Sequence, residues 1–122
     1  MIQQQLEIQL SPYAGLYDIV VPQDDIYRQL DRLVDFSFVY EEIGKNYSWK
    51  KGRFAEDPVR MFKYLLVKII DRLSDRRVVA NALVNLSLKR FLGLSPEETN
   101  IIDASTLSKF RKLRFENVDV LN

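Results

Sequence analysis

Cysteine and histidine are both absent from the 122 residues, and glycine and proline number only 4 each. The first absence removes a catalytic imidazole, a thiolate nucleophile, a disulfide framework and any ordinary zinc site. Metal chemistry would have to rest on carboxylates alone. The second leaves no Gly- or Pro-rich linker to divide the chain, and no internal repeat or low-complexity segment is visible. Long apolar runs are also missing. The longest, Tyr64–Val67, is far short of the roughly 20 residues of a membrane span. Met1–Leu10 has neither the basic start nor the apolar stretch of a signal peptide. These gaps point to a cytoplasmic chain with no membrane partner. The composition that remains, 47% hydrophobic and 29% charged, is that of one soluble globular domain.

The formal net charge of +1 conceals an asymmetry. Residues 1–57 carry six basic against ten acidic side chains, a balance of −4, and residues 58–122 carry twelve against seven, a balance of +5. A basic half suggests a polyanionic partner if its charges share a face, and solvated helix surfaces if they do not.

Along the chain, residues 1–22 alternate at Leu6, Ile8 and Leu10 and then run Leu16-Tyr17-Asp18-Ile19-Val20-Val21, which predicts a hairpin or extended arm packed on the rest of the domain. From Pro22 the period becomes helical. Asp24 or Asp25 can cap a helix whose buried face is Ile26, Leu30, Leu33 and Val34, and Phe36, Phe38, Val39 and Ile43 suggest a short one ending near Gly44. Lys45–Glu56 reads as a polar loop containing Tyr47 and Trp49. Asp57-Pro58 is a strong helix start, a capping carboxylate followed by proline at the first helical position. The helix after it is apolar at Val59, Phe62, Leu65, Leu66, Ile69, Ile70 and Leu73, with Met61, Tyr64 and Val67 on the other side, so it belongs at the centre of the core. Ser74 caps a helix with an inner stripe of Val78, Val79, Ala82, Leu83 and Leu86. A shorter helix through Leu88, Phe91 and Leu92 stops at Gly93, and Ser95-Pro96-Glu97-Glu98 reads as another helix start.

The last predicted helix, Ala104 to Phe115, carries a functional pattern. At 100° per residue Leu107, Phe110 and Leu113 face one side, while Ser105, Ser108, Lys109 and Lys112 line the other with Arg111 beside them. Hydroxyls and cations on one exposed helical face suit phosphate contact and major-groove reading. Arg114 projects onto the apolar side. The two preceding helices could complete a helix-turn-helix-like arrangement, with Arg76, Arg77, Lys89 and Arg90 either secondary phosphate contacts or solvated surface charges. The fold expected is mainly α: an arm over 1–22, a multi-helix domain over 23–115, and the start of a linking helix or tail over 116–122.

The ordered segments Tyr17-Asp18 with Pro22, Arg28, Asp35-Phe36-Ser37-Phe38, Gly52-Arg53, Asp57-Pro58-Val59, Phe62-Lys63, Ser74-Asp75-Arg76, Arg90-Phe91-Leu92-Gly93-Leu94 and Asp103-Ala104-Ser105-Thr106-Leu107-Ser108-Lys109-Phe110-Arg111 carry a resemblance. Over residues 17–115 the chain resembles the N-terminal domain of bacterial insertion-sequence transposases of the DDE class. Asp25, Ile102 and Ala104 depart from that family's usual residues. The resemblance implies a domain that binds the terminal inverted repeats of a mobile element as double-stranded DNA. It implies also that a separate RNase H-like domain supplies two Asp and one Glu for two-metal strand cleavage. No such domain is expected before Asn122. Asp119 reads as a capping acid, and the adjacent pairs Asp24-Asp25, Glu41-Glu42 and Glu97-Glu98 diverge on a helix, so neither catalysis nor a cofactor is expected. The chain then reads as a DNA-binding part from a truncated frame, a split gene or an expressed fragment, with a separate or frameshifted catalytic domain as one partner. The alternative is a self-associating structural remnant, a homodimer using Tyr47, Trp49 and the N-terminal edge.

Overall fold

A computed structural model describes residues 11–42 and 57–115, with side chains as far as residue 112. Among the described residues there are seven helices and no strand: α1 Leu16–Val20, α2 Ile26–Leu33, α3 Phe38–Glu42, α4 Pro58–Asp71, α5 Asp75–Val84, α6 Leu86–Leu92 and α7 Ala104–Phe115. They form two compact units, one built from residues 11–35 and 79–101, the other from 36–42, 57–78 and 102–115. The chain passes from the second unit to the first within α5.

In the first unit the stretch expected to be extended is helical over Leu16–Val20. Local β propensity is overridden because a short helix lets Tyr17 sink into the core and donate its hydroxyl to the Leu94 carbonyl at 2.5 Å. The end of α1 would leave bare carbonyls. Arg28, buried, supplies the donors: Nη2 reaches the Tyr17 carbonyl at 2.7 Å and Nε the Val21 carbonyl at 3.2 Å. That demand sets the inward face of α2. Tyr27 and Arg28 point in, whereas Ile26 and Leu33, expected inside, are 55% and 81% exposed. Asp25 is the N-cap of α2, accepting from the amides of Tyr27 and Arg28, and it also receives the Ser87 hydroxyl at 2.9 Å, tying α2 to the first turn of α6. Tyr27 stacks at a tilt on Phe91 of α6, ring centroids 4.9 Å apart. Asn85 caps α6 and Gly93, at φ 79°, closes it. Ser95–Glu98 is a single turn rather than the helix start expected there. Its Glu97 carboxylate is taken by the Ser11 hydroxyl, and the Glu98 carbonyl by Lys89.

In the second unit α4 is the core helix. It is buried on every side from Pro58 to Leu65 apart from Arg60, then opens to solvent, so Ile69 and Ile70 lie exposed where the apolar period placed them inside. Asp57 caps it through Val59 N at 2.7 Å and accepts the Tyr40 hydroxyl at 2.6 Å, which fastens α3 to the start of α4. Phe36 and Phe38 close on Phe62, the latter pair edge to face at 5.6 Å, and Lys63 lays its ammonium 4.9 Å from the centre of the Phe36 ring. Leu107 and Phe110 of α7 complete this core. Between α4 and α5 the chain turns at Arg72, which adopts the left-handed conformation at φ 55°, ψ 53°. Lys68 lends its ammonium to the Leu73 carbonyl at 3.2 Å, and the Ser74 hydroxyl accepts Arg77 N at the start of α5. In α5, Val78 and Ala82 are buried, and Leu83 is exposed despite its expected place in the inner stripe. Residues 1–10, the loop with Tyr47 and Trp49, the side chains of Leu113 and Arg114, and Asp119 lie outside the described residues.

Candidate nucleic-acid interface

The basic residues are unevenly divided between the two units. Among the described side chains the first holds four Lys/Arg against seven Asp/Glu, net −3, and the second nine against six, net +3. A polyanion would be drawn to the second unit.

The outward face of α7 lies there. Asp103 is the residue before its first turn: its carbonyl accepts Thr106 N at 3.0 Å and Leu107 N at 3.2 Å, and its carboxylate takes the Ser105 hydroxyl at 3.1 Å. Because Leu107 and Phe110 are sunk in the core, Ser105, Lys109 and Lys112 stand in solvent and Ser108 at the margin. Arg76 and Arg77, on the first turn of α5, are exposed in the same unit.

Arg111 is held differently from its neighbours. Its guanidinium meets Asp75 with both terminal nitrogens, Nη1 to Oδ1 and Nη2 to Oδ2, each at 3.3 Å. Asp75 also faces the Lys68 ammonium of α4 at 3.5 Å. One carboxylate at the start of α5 therefore joins α4, α5 and α7. Asp75 was not legible as a site residue, because its partner lies 36 positions away and no local spacing announces such a pair.

Two of the secondary basic residues belong to the acidic first unit and turn inward. Lys89 is 3% exposed and its ammonium is occupied by the Glu98 carbonyl. Burial lowers its pKa from the ordinary lysine value, with Glu98 and Glu97 opposing the shift. Arg90 pairs with Asp31 of α2 at 3.4 Å, and burial, then the nearby charge of Arg28, lowers its pKa. Lys89 is thus committed to a backbone carbonyl and Arg90 to an acid of the same unit. The helix that carries them buries its Lys89 stem beside Leu88, Phe91 and Leu92, and spends both cations on internal partners.

Among the described residues no group of three or more Asp or Glu is placed to hold a metal ion, and no helix is long and apolar enough to cross a membrane. Comparison with protein families matched residues 16–113 to one described as Transposase domain (DUF772). No curated protein and no solved structure gave a match.

Proposed function

The chain belongs to this family of transposase domains, and from that premise we propose that it binds double-stranded DNA, recognising the terminal inverted repeats of an insertion sequence in the cytoplasm. The observation that carries the reading is the outward face of α7, where Ser105, Ser108, Lys109 and Lys112 stand over buried Leu107 and Phe110 in the unit of net positive charge. Lys109 and Lys112 are phosphate contacts in this reading, the two serines are hydrogen-bonding groups at the groove, and Arg76 and Arg77 are flanking phosphate contacts. A helix-turn-helix-like presentation of α7 belongs to the same proposal. Each phosphate neutralised releases counterions, so Lys109→Ala with Lys112→Ala is expected to lower the slope of log K against log salt by about two and to weaken binding to all duplexes alike. Unchanged affinity and slope in gel-shift titrations at roughly 50–200 mM salt would refute the assignment of α7.

The reading assigns strand cleavage to a separate catalytic domain. Supercoiled plasmid incubated with the chain and Mg²⁺ or Mn²⁺ is expected to remain intact, and nicking above background would place catalysis in these residues. A second reading, self-association as a homodimer without DNA, draws on the exposed Ile19, Leu33 and Val84 of the first unit. Sedimentation separates the two, since a dimer indifferent to duplex and salt favours the second.

A further inference from the structure

The three basic side chains in the last described turns of α7 are not equivalent. Lys109 and Lys112 are exposed and pair with no acid among the described residues, whereas Arg111 is half-buried and engaged by both carboxylate oxygens of Asp75. The planar fork of a guanidinium matches a carboxylate in this two-point way, and a lysine ammonium does not. Asp75 is itself only 18% exposed and has Lys68 on its other flank, so its charge is shared between two cations and directed inward. The ammonium of Lys68 is in turn steadied by the Leu73 carbonyl at the turn between α4 and α5.

We propose that Asp75 and Arg111 form a positioning pair that sets the rotation of α7 about its own axis, and that Arg111 is not itself a phosphate contact. The inference rests on the proposed DNA binding and deepens it. Lys109 and Lys112 flank Arg111 on the helix, about 200° and 100° around from it. Anchoring residue 111 at two points therefore fixes the direction in which Ser105, Ser108, Lys109 and Lys112 are offered to a duplex. The pair also explains why an acid sits within the basic unit beside Arg76 and Arg77: Asp75 subtracts from long-range attraction and contributes orientation instead.

The two roles for Arg111 predict opposite results. Loss of a phosphate contact lowers the salt slope by about one and leaves sequence preference alone. Loss of a positioning pair leaves the slope unchanged and erodes preference, because non-specific binding tolerates a loosely oriented helix and base reading does not. Partial unfolding reduces specific and non-specific binding in equal proportion, so the ratio between them separates orientation from mere destabilisation.

The test uses the full chain with Asp75→Asn, Arg111→Gln and the double substitution, against the duplex that the unsubstituted chain selects from a random-sequence pool and a random duplex of the same length. Arg111→Gln is expected to lower the specific-to-random affinity ratio about tenfold with an unchanged salt slope. Asp75→Asn, although it removes a negative charge, is expected to lower the same ratio while tightening binding to the random duplex. Arg111→Lys is expected not to restore the ratio. In urea unfolding without DNA, the double variant is expected to lose no more than the more destabilised single variant. A slope reduced by one at an unchanged ratio, or urea midpoints that shift by the simple sum of the two single effects, would overturn the proposal. Absence of duplex binding by the unsubstituted chain would refute the proposed function, and the urea comparison then decides on the pair by itself.

Discussion

Arg72 occupies a backbone conformation that glycine adopts without penalty and a residue with a Cβ does not. It ends α4, where its amide still donates to the Lys68 carbonyl, so the geometry is imposed by the tight passage into α5. Arg72→Gly is expected to raise stability by about 1 kcal/mol, read as a higher urea midpoint at unchanged slope. Two tyrosines and a lysine make stability depend on alkaline pH, with opposing signs. Tyr17 and Tyr40 both have pKa values raised above the ordinary 10.0: burial is the main cause in each, helped by Glu97 for Tyr17 and by the hydrogen bond to Asp57 for Tyr40. The unfolded chain therefore loses these protons first. Their contribution is complete below about pH 10 and declines as pH rises toward the folded values. Lys89, depressed below 10.5, acts the other way, because in the window beneath that value the unfolded chain holds the proton more tightly and stability climbs with pH. Urea midpoints between about pH 8 and 11 should fall less for Tyr40→Phe than for the unsubstituted chain, and more for Lys89→Met.

At the scale of helices, Asp57 both caps α4 and holds the Tyr40 hydroxyl, so its loss leaves an amide and a phenol without their acceptor. Asp57→Ala is expected to cost about 2 kcal/mol, and Asp57→Asn clearly less, since an amide oxygen can still cap. Such start and stop chemistry is local, which is why α4, α5 and α6 were legible: Asp57-Pro58, Ser74 and Gly93 act within a few residues of the boundary they mark. The outward face of α7 was legible for a similar reason, since about 100° per residue separates Leu107 and Phe110 from Ser105, Lys109 and Lys112. The features that were not legible depend on partners distant in the chain. The stretch Ile19-Val20-Val21 reads as extended until the Arg28 guanidinium is seen to cap the helix end beside it. With Arg28 turned inward, Ile26 and Leu33 are rotated out, against their hydropathy. Lys89 looks like a surface cation until the Glu98 carbonyl is found at its tip.

For the whole molecule, the charge difference between the two halves of the sequence reappears as a difference between the two units, although neither unit corresponds to either half. If Lys109, Lys112, Arg76 and Arg77 each neutralise a phosphate, log K for duplex binding should fall with log salt at a slope of about −3.6, roughly 0.9 for each contact. Fluorescence anisotropy across a salt series measures it, and a slope near about −1 would leave at most one of the four in contact. Each unit is assembled from two stretches of chain separated by a stretch of the other, and this has a consequence during biosynthesis. Tyr17 leaves the ribosome 77 residues before Leu94, whose carbonyl receives its hydroxyl, and Asp25 leaves 62 residues before Ser87. At about 5–20 residues per second, α1 and α2 wait on the order of several seconds before the residues that bury Tyr17 and Tyr27 exist. Over that interval the nascent chain exposes an unsatisfied apolar surface, and a chaperone that shelters this N-terminal segment would govern how much of the protein is delivered folded.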